Sequence, residues 1–212
     1  MSSLLDFDKK FAIQKETAIL LGVDEAGRGP LAGPVVACAC CLAPNQYIYF
    51  EDVNDSKKLS AKKRDEIFER MNKIGVLYGV GFASAREIDE LNILQATFLA
   101  MRRASRKFYS IPSAIALVDG PHPIAHFPLR QFPIIDGDAK SLAIAAASVV
   151  AKVVRDRYMD ILDKMYPVYG FASHKGYGTP KHLAAIEQYG PCPQHRLTFA
   201  PLRDRQKPSL FP

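Results

Sequence analysis

The sequence predicts an α/β domain, a mixed five-stranded sheet flanked by helices and followed by a C-terminal helical segment. Strand-like apolar runs come first along the chain and are then mixed with helical stretches, the order of a layered α/β domain. About nine residues separate the first two runs, which makes antiparallel neighbours of them. Three runs end abruptly in acidic residues, and the carboxyl ends of parallel strands are where open sheets place their sites.

Residues 17 to 23, Thr-Ala-Ile-Leu-Leu-Gly-Val, form the first short buried strand. A glycine-rich turn from Ala26 to Gly33 leads to a second strand, Pro34 to about Leu42. Ser60 opens an amphipathic helix to about Ile74, and Val76 to Phe82 is the third strand. Ser84-Ala-Arg-Glu87 is a capping box, in which serine and glutamate each satisfy the other's free N–H. It introduces a helical region to about Phe108. The basic end of that region, Arg102, Arg103, Arg106 and Lys107, suits a helix C-terminus; a phosphate-contacting patch is the other reading. Ala114 to Val118, running into Asp119-Gly120, is the fourth strand, and Phe132 to Ile135, running into Asp136-Gly137-Asp138, the fifth. A long helix starts near Ser141 and reaches about Met165, with alanines that let it lie close on the sheet. After a loop from His174 to Pro180 comes a last short helix, Lys181 to Tyr189. The main domain is thus expected over 1–166, the helical segment over 167–200, and a poorly ordered tail over 201–212, where charge and proline occur without amphipathic period.

Composition narrows the class. A chain of 212 residues with 48% hydrophobic content can close a core without staples. No apolar run approaches the ~18 residues of a membrane span. The N-terminus lacks the basic-then-apolar order of a secretion signal, so a cytoplasmic location is expected. Cys38, Cys40 and Cys41 crowd one apolar stretch, where each packs as a small apolar residue; with Cys192 they make no paired metal spacing. His122 and His126 flank prolines in a loop and form no zinc motif. The formal net charge of +6 is compatible with a nucleic-acid partner and says nothing of fold.

The acids carry the chemistry. Asp24 and Glu25 follow the first strand, Asp119 the fourth and Asp138 the fifth. Two carboxylates ~4 Å apart repel by about 1 kcal/mol in water and ~4 kcal/mol at an effective dielectric of 20. Such a cluster must bind cations or protons. All-oxygen ligation favours Mg²⁺ or Mn²⁺ over zinc, and a pair of such ions is a standard device for phosphodiester hydrolysis. Turn and helix caps are the plainer use of such residues, and Asp138, just before a helix, suits one. Asp136 stays open as a rival by spacing. Asp156, about 22 Å further along the long helix at 1.5 Å per residue, suits ion pairs with its neighbours better. Asp138 is taken. Two phosphate-loop readings of the glycine turn fail. Arg28 stands where a P-loop needs lysine, with two acids inside the loop, and the dinucleotide spacing is missed because prolines lead into a strand.

Val23-Asp-Glu-Ala-Gly-Arg-Gly-Pro-Leu-Ala-Gly-Pro-Val-Val36 closely resembles the N-terminal signature of the bacterial ribonuclease HII family. The likeness continues through Asp55-Ser-Lys-Lys-Leu59, Val118-Asp-Gly120, Gly137-Asp-Ala-Lys-Ser141 with Ala146 to Asp156, and His174-Lys-Gly-Tyr-Gly-Thr179. It spans roughly residues 18 to 200 in the family's order. The resemblance implies a ribonuclease H-like fold and cleavage 5′ of ribonucleotides, in RNA–DNA hybrids or singly embedded in duplex DNA, leaving 3′-hydroxyl and 5′-phosphate ends. It implies Asp24, Glu25, Asp119 and Asp138 as ligands of two Mg²⁺ or Mn²⁺ ions. Gly27, Arg28 and Gly29 match the turn that reads the junction and the 2′-hydroxyl, the group that separates RNA from DNA. Tyr177 matches the aromatic packed on the neighbouring deoxyribose, Lys57 a phosphate contact, and Lys175 adds charge. A first strand beginning by about residue 17 leaves no room for the N-terminal domain of ribonuclease HIII. A monomer is expected. A non-catalytic hybrid-binding module and a DNA nuclease or strand transferase of the same superfold are the other classes, since fold does not fix substrate. Lys207-Pro-Ser-Leu-Phe211 resembles short peptides that replication proteins insert into the sliding clamp, which implies a weak clamp contact.

Overall fold

Five strands form from the five apolar runs: β1 (Ile19–Ala26), β2 (Val35–Cys41), β3 (Leu77–Ala83), β4 (Ala114–Asp119) and β5 (Arg130–Ile134). The computed structural model describes residues 3–15, 19–50, 59–111 and 113–205. The strands stand in the order β3-β2-β1-β4-β5. β2 runs antiparallel to both neighbours, while β1, β4 and β5 are parallel. The sheet is mixed, as the sequence predicts. The boundary that matters for the site differs: β1 runs on past Val23, so Asp24 and Glu25 lie within it, held by pairing through Ala26 and Val36, while β5 starts two residues earlier than expected, at Arg130.

The two-residue alternation of a strand divides the core into layers. Leu21, Val23, Ala37, Ala39, Ala116 and Val118 face one side, beneath α4 (Ile93–Ser105). Leu20, Ile115 and Leu117 face the other, beneath Ile144 of the long helix α5 (Leu142–Met165). That helix crosses β1 at Gly22, where a Cβ would lie 2.0 Å from the carbonyl carbon and oxygen of Ala143. Only glycine permits so close an approach. Cys38 and Cys40 are buried among the α5-side apolar residues, and all four cysteines are free thiols, in keeping with a packing role.

Local capping chemistry sets the helix starts. Ser60 Oγ accepts from Lys63 N at the head of α2 (Ala61–Lys73), and Ser141 Oγ accepts from Ile144 N at the head of α5. The Ser84–Glu87 box forms in both directions, at 2.8 and 3.2 Å. The expected single helical region after it is two helices, α3 (Ala85–Leu91) and α4. Asn92 divides them: it takes a left-handed φ of 69°, and its Oδ1 accepts from Leu94 N and Gln95 N. The basic end of α4 is engaged within the protein. Arg103 pairs with Glu87 at 2.7 Å, which pulls that carboxyl down to about 2, and Arg102 donates to Ala125 O.

A helix the sequence reading did not include, α1 (Ser3–Gln14), lies over the start of α5. Leu4 and Leu5 join the apolar core there, and Asp8 Oδ2 accepts from Ala143 N at 2.9 Å, inside the first turn of α5. Burial pushes the Asp8 carboxyl up to about 6. Beyond α5, the segment with α6 (Phe171–His174) and α7 (Pro180–Tyr189) packs Tyr169, Phe171, Ala185 and Ile186 against Met159 and Leu162 of α5 and Leu31 of the glycine turn. A further turn, α8 (Leu202–Arg205), buries Leu202 in the same cluster, so the stretch read as a loose tail is helical at its start. Among the described residues no helix is long and apolar enough to cross a membrane.

Candidate active site

Register delivers the first two acids. Val23 pairs with Val118 across the parallel strands β1 and β4, so Asp24 and Asp119 are neighbours in the next position. Both follow residues that face α4, and alternation turns both toward α5. Asp24 is only 4% exposed. Its carboxylate accepts from Glu25 N at 2.6 Å and hydrogen-bonds the hydroxyl of Ser148 on α5. Burial, and then the charges of Glu25 and Asp119, hold the Asp24 carboxyl well above the usual range.

The other two acids are placed differently. Glu25, one residue on, stands at the edge between the two faces: it borders the cavity of Asp24 and a smaller one with Thr97 and Met101 of α4. It pairs with Arg28 at 3.4 Å. Asp138 lies on a short 3₁₀ turn, Gly137–Ala139, rather than at a strand end. The turn is tied to β4 because Gly137 N donates to Asp119 Oδ1 at 2.7 Å. Asp138 is 4% exposed, whereas its rival Asp136 is exposed in a left-handed conformation. Asp156 stands apart, paired with Lys152 at 2.7 Å instead of with its arginine neighbours. Among the described residues no three His, Cys, Asp or Glu side chains are grouped tightly enough to hold an ion as they stand.

Asp24, Glu25, Asp119, Gly27, Arg28, Gly29 and Tyr177 nevertheless line one cavity of about 270 Å³, with Ser148, Lys152 and Arg155 of α5 completing its wall. The glycine turn is built on two buried arginines that the sequence reading missed. Arg155, 1% exposed, donates to Pro34 O, Ala32 O and Lys175 O. Gly27 has a φ of +93°, and a Cβ on it would lie 1.9 Å from Arg155 Nε, so the turn rests directly on that guanidinium. Arg196, 0% exposed, donates to Gly27 O, Arg28 O and Gly33 O at 2.6–3.0 Å. Burial, with Arg155 nearby, draws its guanidinium down to about 9, still charged at neutral pH.

Tyr177 sits opposite the turn, 48% exposed, with its ring edge 3.7 Å from the Cβ position of Gly29. Its backbone is held from behind by three histidines. His182 Nδ1 bonds Tyr177 O at 2.9 Å, His182 Nε2 and His195 Nε2 are 3.1 Å apart, and the His174 and His182 rings stack at 4.4 Å. Cys192 N donates to His195 Nδ1 at 2.9 Å, the shorter of that nitrogen's two contacts with Cys192, which leaves His195 Nε2–H to donate to His182 and His182 Nδ1–H to donate to Tyr177 O. That chain requires neutral rings, and burial lowers His195 to about 4. Lys175 turns away from the cavity to Asp160. Lys57 and the residues from 206 onward lie outside the described residues.

The ribonuclease HII profile matches residues 21–202. The ribonuclease HII of Syntrophotalea carbinolica is 52% identical over 202 residues, which span 95% of this chain and 94% of that protein. In the structure of the PCNA:RNase HII complex from Archaeoglobus fulgidus, the similar chain has a TM-score of 0.69 at 26% identity, over 85% of this chain and 95% of its own length. Bst-RNase HIII, solved in complex with Mn²⁺, shares the fold with a TM-score of 0.70 at 18% identity, over 91% of this chain and 70% of its own. On profile, relatives and fold, this chain belongs to the ribonuclease HII family, divalent-metal-dependent endonucleases that act on RNA–DNA hybrids.

Proposed function

We propose that this chain hydrolyses the phosphodiester bond on the 5′ side of a ribonucleotide, within RNA–DNA hybrids and also where a single ribonucleotide is embedded in duplex DNA. The products carry 3′-hydroxyl and 5′-phosphate ends. The observation that carries this reading is the shared cavity: the buried Asp24 with Glu25 and Asp119 beside it on one wall, the glycine–arginine turn next to them, and Tyr177 across from it.

Asp24, Glu25, Asp119 and Asp138 would hold two Mg²⁺ or Mn²⁺ ions once drawn together from the spread they show here. The donors are all oxygens, and the raised Asp24 carboxyl marks a place where positive charge relieves repulsion from Glu25 and Asp119. Glu25 would reach such a site by exchanging its long, 3.4 Å contact with the half-exposed Arg28. When bound, divalent ions supply activation of the attacking water and neutralisation of charge on the leaving oxygen. The rest of the chemistry belongs to the chain. Gly27, Arg28 and Gly29 bring backbone close to the sugar and read its 2′-hydroxyl. Tyr177 packs on the deoxyribose across the junction, with Lys57 at a neighbouring phosphate. The Ser148 hydroxyl keeps the Asp24 carboxylate oriented from α5.

The test is a duplex with one ribonucleotide, titrated with Mg²⁺ or Mn²⁺ and mapped for its cut. A single break 5′ of the ribonucleotide, absent in EDTA, is expected. Binding without product would make the chain a hybrid-binding module, and cleavage of an all-DNA duplex would make it a DNA nuclease. A clamp contact through Lys207 to Phe211 is proposed as well, supported by the complex of the Archaeoglobus fulgidus protein with PCNA. Unchanged clamp binding after deletion of residues 206–212 would dispose of it.

A further inference from the structure

Arg196 spends its guanidinium on backbone alone in the contacts it makes to the glycine turn. Nη1 donates to Arg28 O at 2.8 Å, Nη2 to Gly27 O at 2.6 Å and Gly33 O at 2.8 Å, and Nε to Gly33 O at 3.0 Å. The arginine is itself held in place, because Arg196 N donates to Leu31 O and Gly33 N donates to Gln194 O, both at 2.8 Å. The guanidinium is therefore a fixed template against which the turn is set.

Peptide geometry gives that template a consequence. A trans peptide carries its C=O and N–H on opposite sides. The carbonyl of Gly27 shares a peptide with the N–H of Arg28, and the carbonyl of Arg28 with the N–H of Gly29. Both carbonyls point at the buried Arg196, so both N–H groups point away from it; Gly27, Arg28 and Gly29 line the cavity, and Arg196 does not. The positive φ of Gly27 makes the arrangement accessible.

We infer that Arg196 is a positioning residue for ribonucleotide discrimination, aiming the N–H groups of Arg28 and Gly29 as a pair of donors at the oxygen of the substrate's 2′-hydroxyl. The inference rests on the turn reading given under Proposed function. It assigns the selectivity of an exposed loop to a side chain buried behind it, contributed by a segment 169 residues away in sequence. Lysine cannot replace this arginine: the three N–H donors of an ammonium radiate from one nitrogen, where the three nitrogens of the planar fork each reach a different part of the turn.

The experiment compares wild type, R196K and R196Q, each checked by thermal melting, for binding in EDTA to two duplexes that differ only in one ribonucleotide. The wild type should favour the ribonucleotide duplex. Both variants should bind the all-DNA duplex as the wild type does and lose about tenfold of the preference, the scale of one hydrogen bond. If R196Q fails to fold, R196K decides the matter. A folded variant that keeps the wild-type ratio overturns the inference, as does an equal loss on both duplexes, which is what a merely structural arginine or a phosphate contact would produce. A wild type without any preference overturns the turn reading itself, and this inference with it.

Discussion

Asp24→Asn separates the cost of the acidic site from its use. Asp24 and Asp119 occupy adjacent positions on parallel neighbours β1 and β4. Strands lie ~4.8 Å apart, and two unit charges at that distance repel by ~3.5 kcal/mol at an effective dielectric of 20. The cavity is open to water and Asp24 is partly relieved by Ser148 and Glu25 N, so a net gain of about 1–2 kcal/mol is expected from the neutral isostere. For a chain of this size that raises the melting temperature by roughly 2–8 °C in EDTA. Magnesium should stabilise the wild type by binding the folded state and leave D24N nearly unchanged. Turnover should fall by ~1000-fold or more, as loss of several kcal/mol of charge stabilisation implies. Differential scanning calorimetry with and without Mg²⁺, beside a cleavage assay, reads all three. The reasoning is refuted if D24N melts below the wild type in EDTA, if both proteins respond equally to Mg²⁺, or if cleavage stays near normal.

Asp8→Asn should alter the pH dependence of stability. The folded carboxyl, at about 6, lies above its ordinary 3.8, so its contribution is complete below about pH 4 and lost as pH rises through 6. That rise corresponds to about 3 kcal/mol, by which D8N should gain on the wild type between pH 4 and pH 7 in urea melts; a constant difference would contradict it. Gly22→Ala forces a methyl against the Ala143 backbone and should cost about 3 kcal/mol, and an unchanged urea midpoint would show that α5 does not lie so close. Tyr177→Ala removes a half-exposed ring from the cavity wall, so stability should move by less than ~0.5 kcal/mol while KM rises of order tenfold. A fall in kcat at constant KM would place the ring elsewhere in the mechanism.

Features with local causes were legible before the fold was known. The strands announce themselves by apolar runs, Ser60, Ser84 and Ser141 by the helices they cap, and Asp24 and Asp119 by where the runs stop. Where local cues were weak, the reading slipped. α1 is a short helix that gains its stability by packing on α5, which no propensity reports. The break at Asn92 had a signal, since asparagine competes for the N–H groups that follow it, but the helical pattern on both sides masked it.

The chain's sequence by itself determined the elements, their capping and the linear positions of the acids, because alternation and capping act between residues a few places apart. Only the tertiary structure decided that Asp24 and Asp119 share a face while Glu25 stands at its edge, that Asp138 rather than Asp136 is buried, and that Arg155 and Arg196 carry the glycine turn. Those outcomes depend on strand register and on hydrogen bonds between residues more than a hundred positions apart. Such contacts acquire energy only when the closing core removes water from them, so no window of sequence contains them.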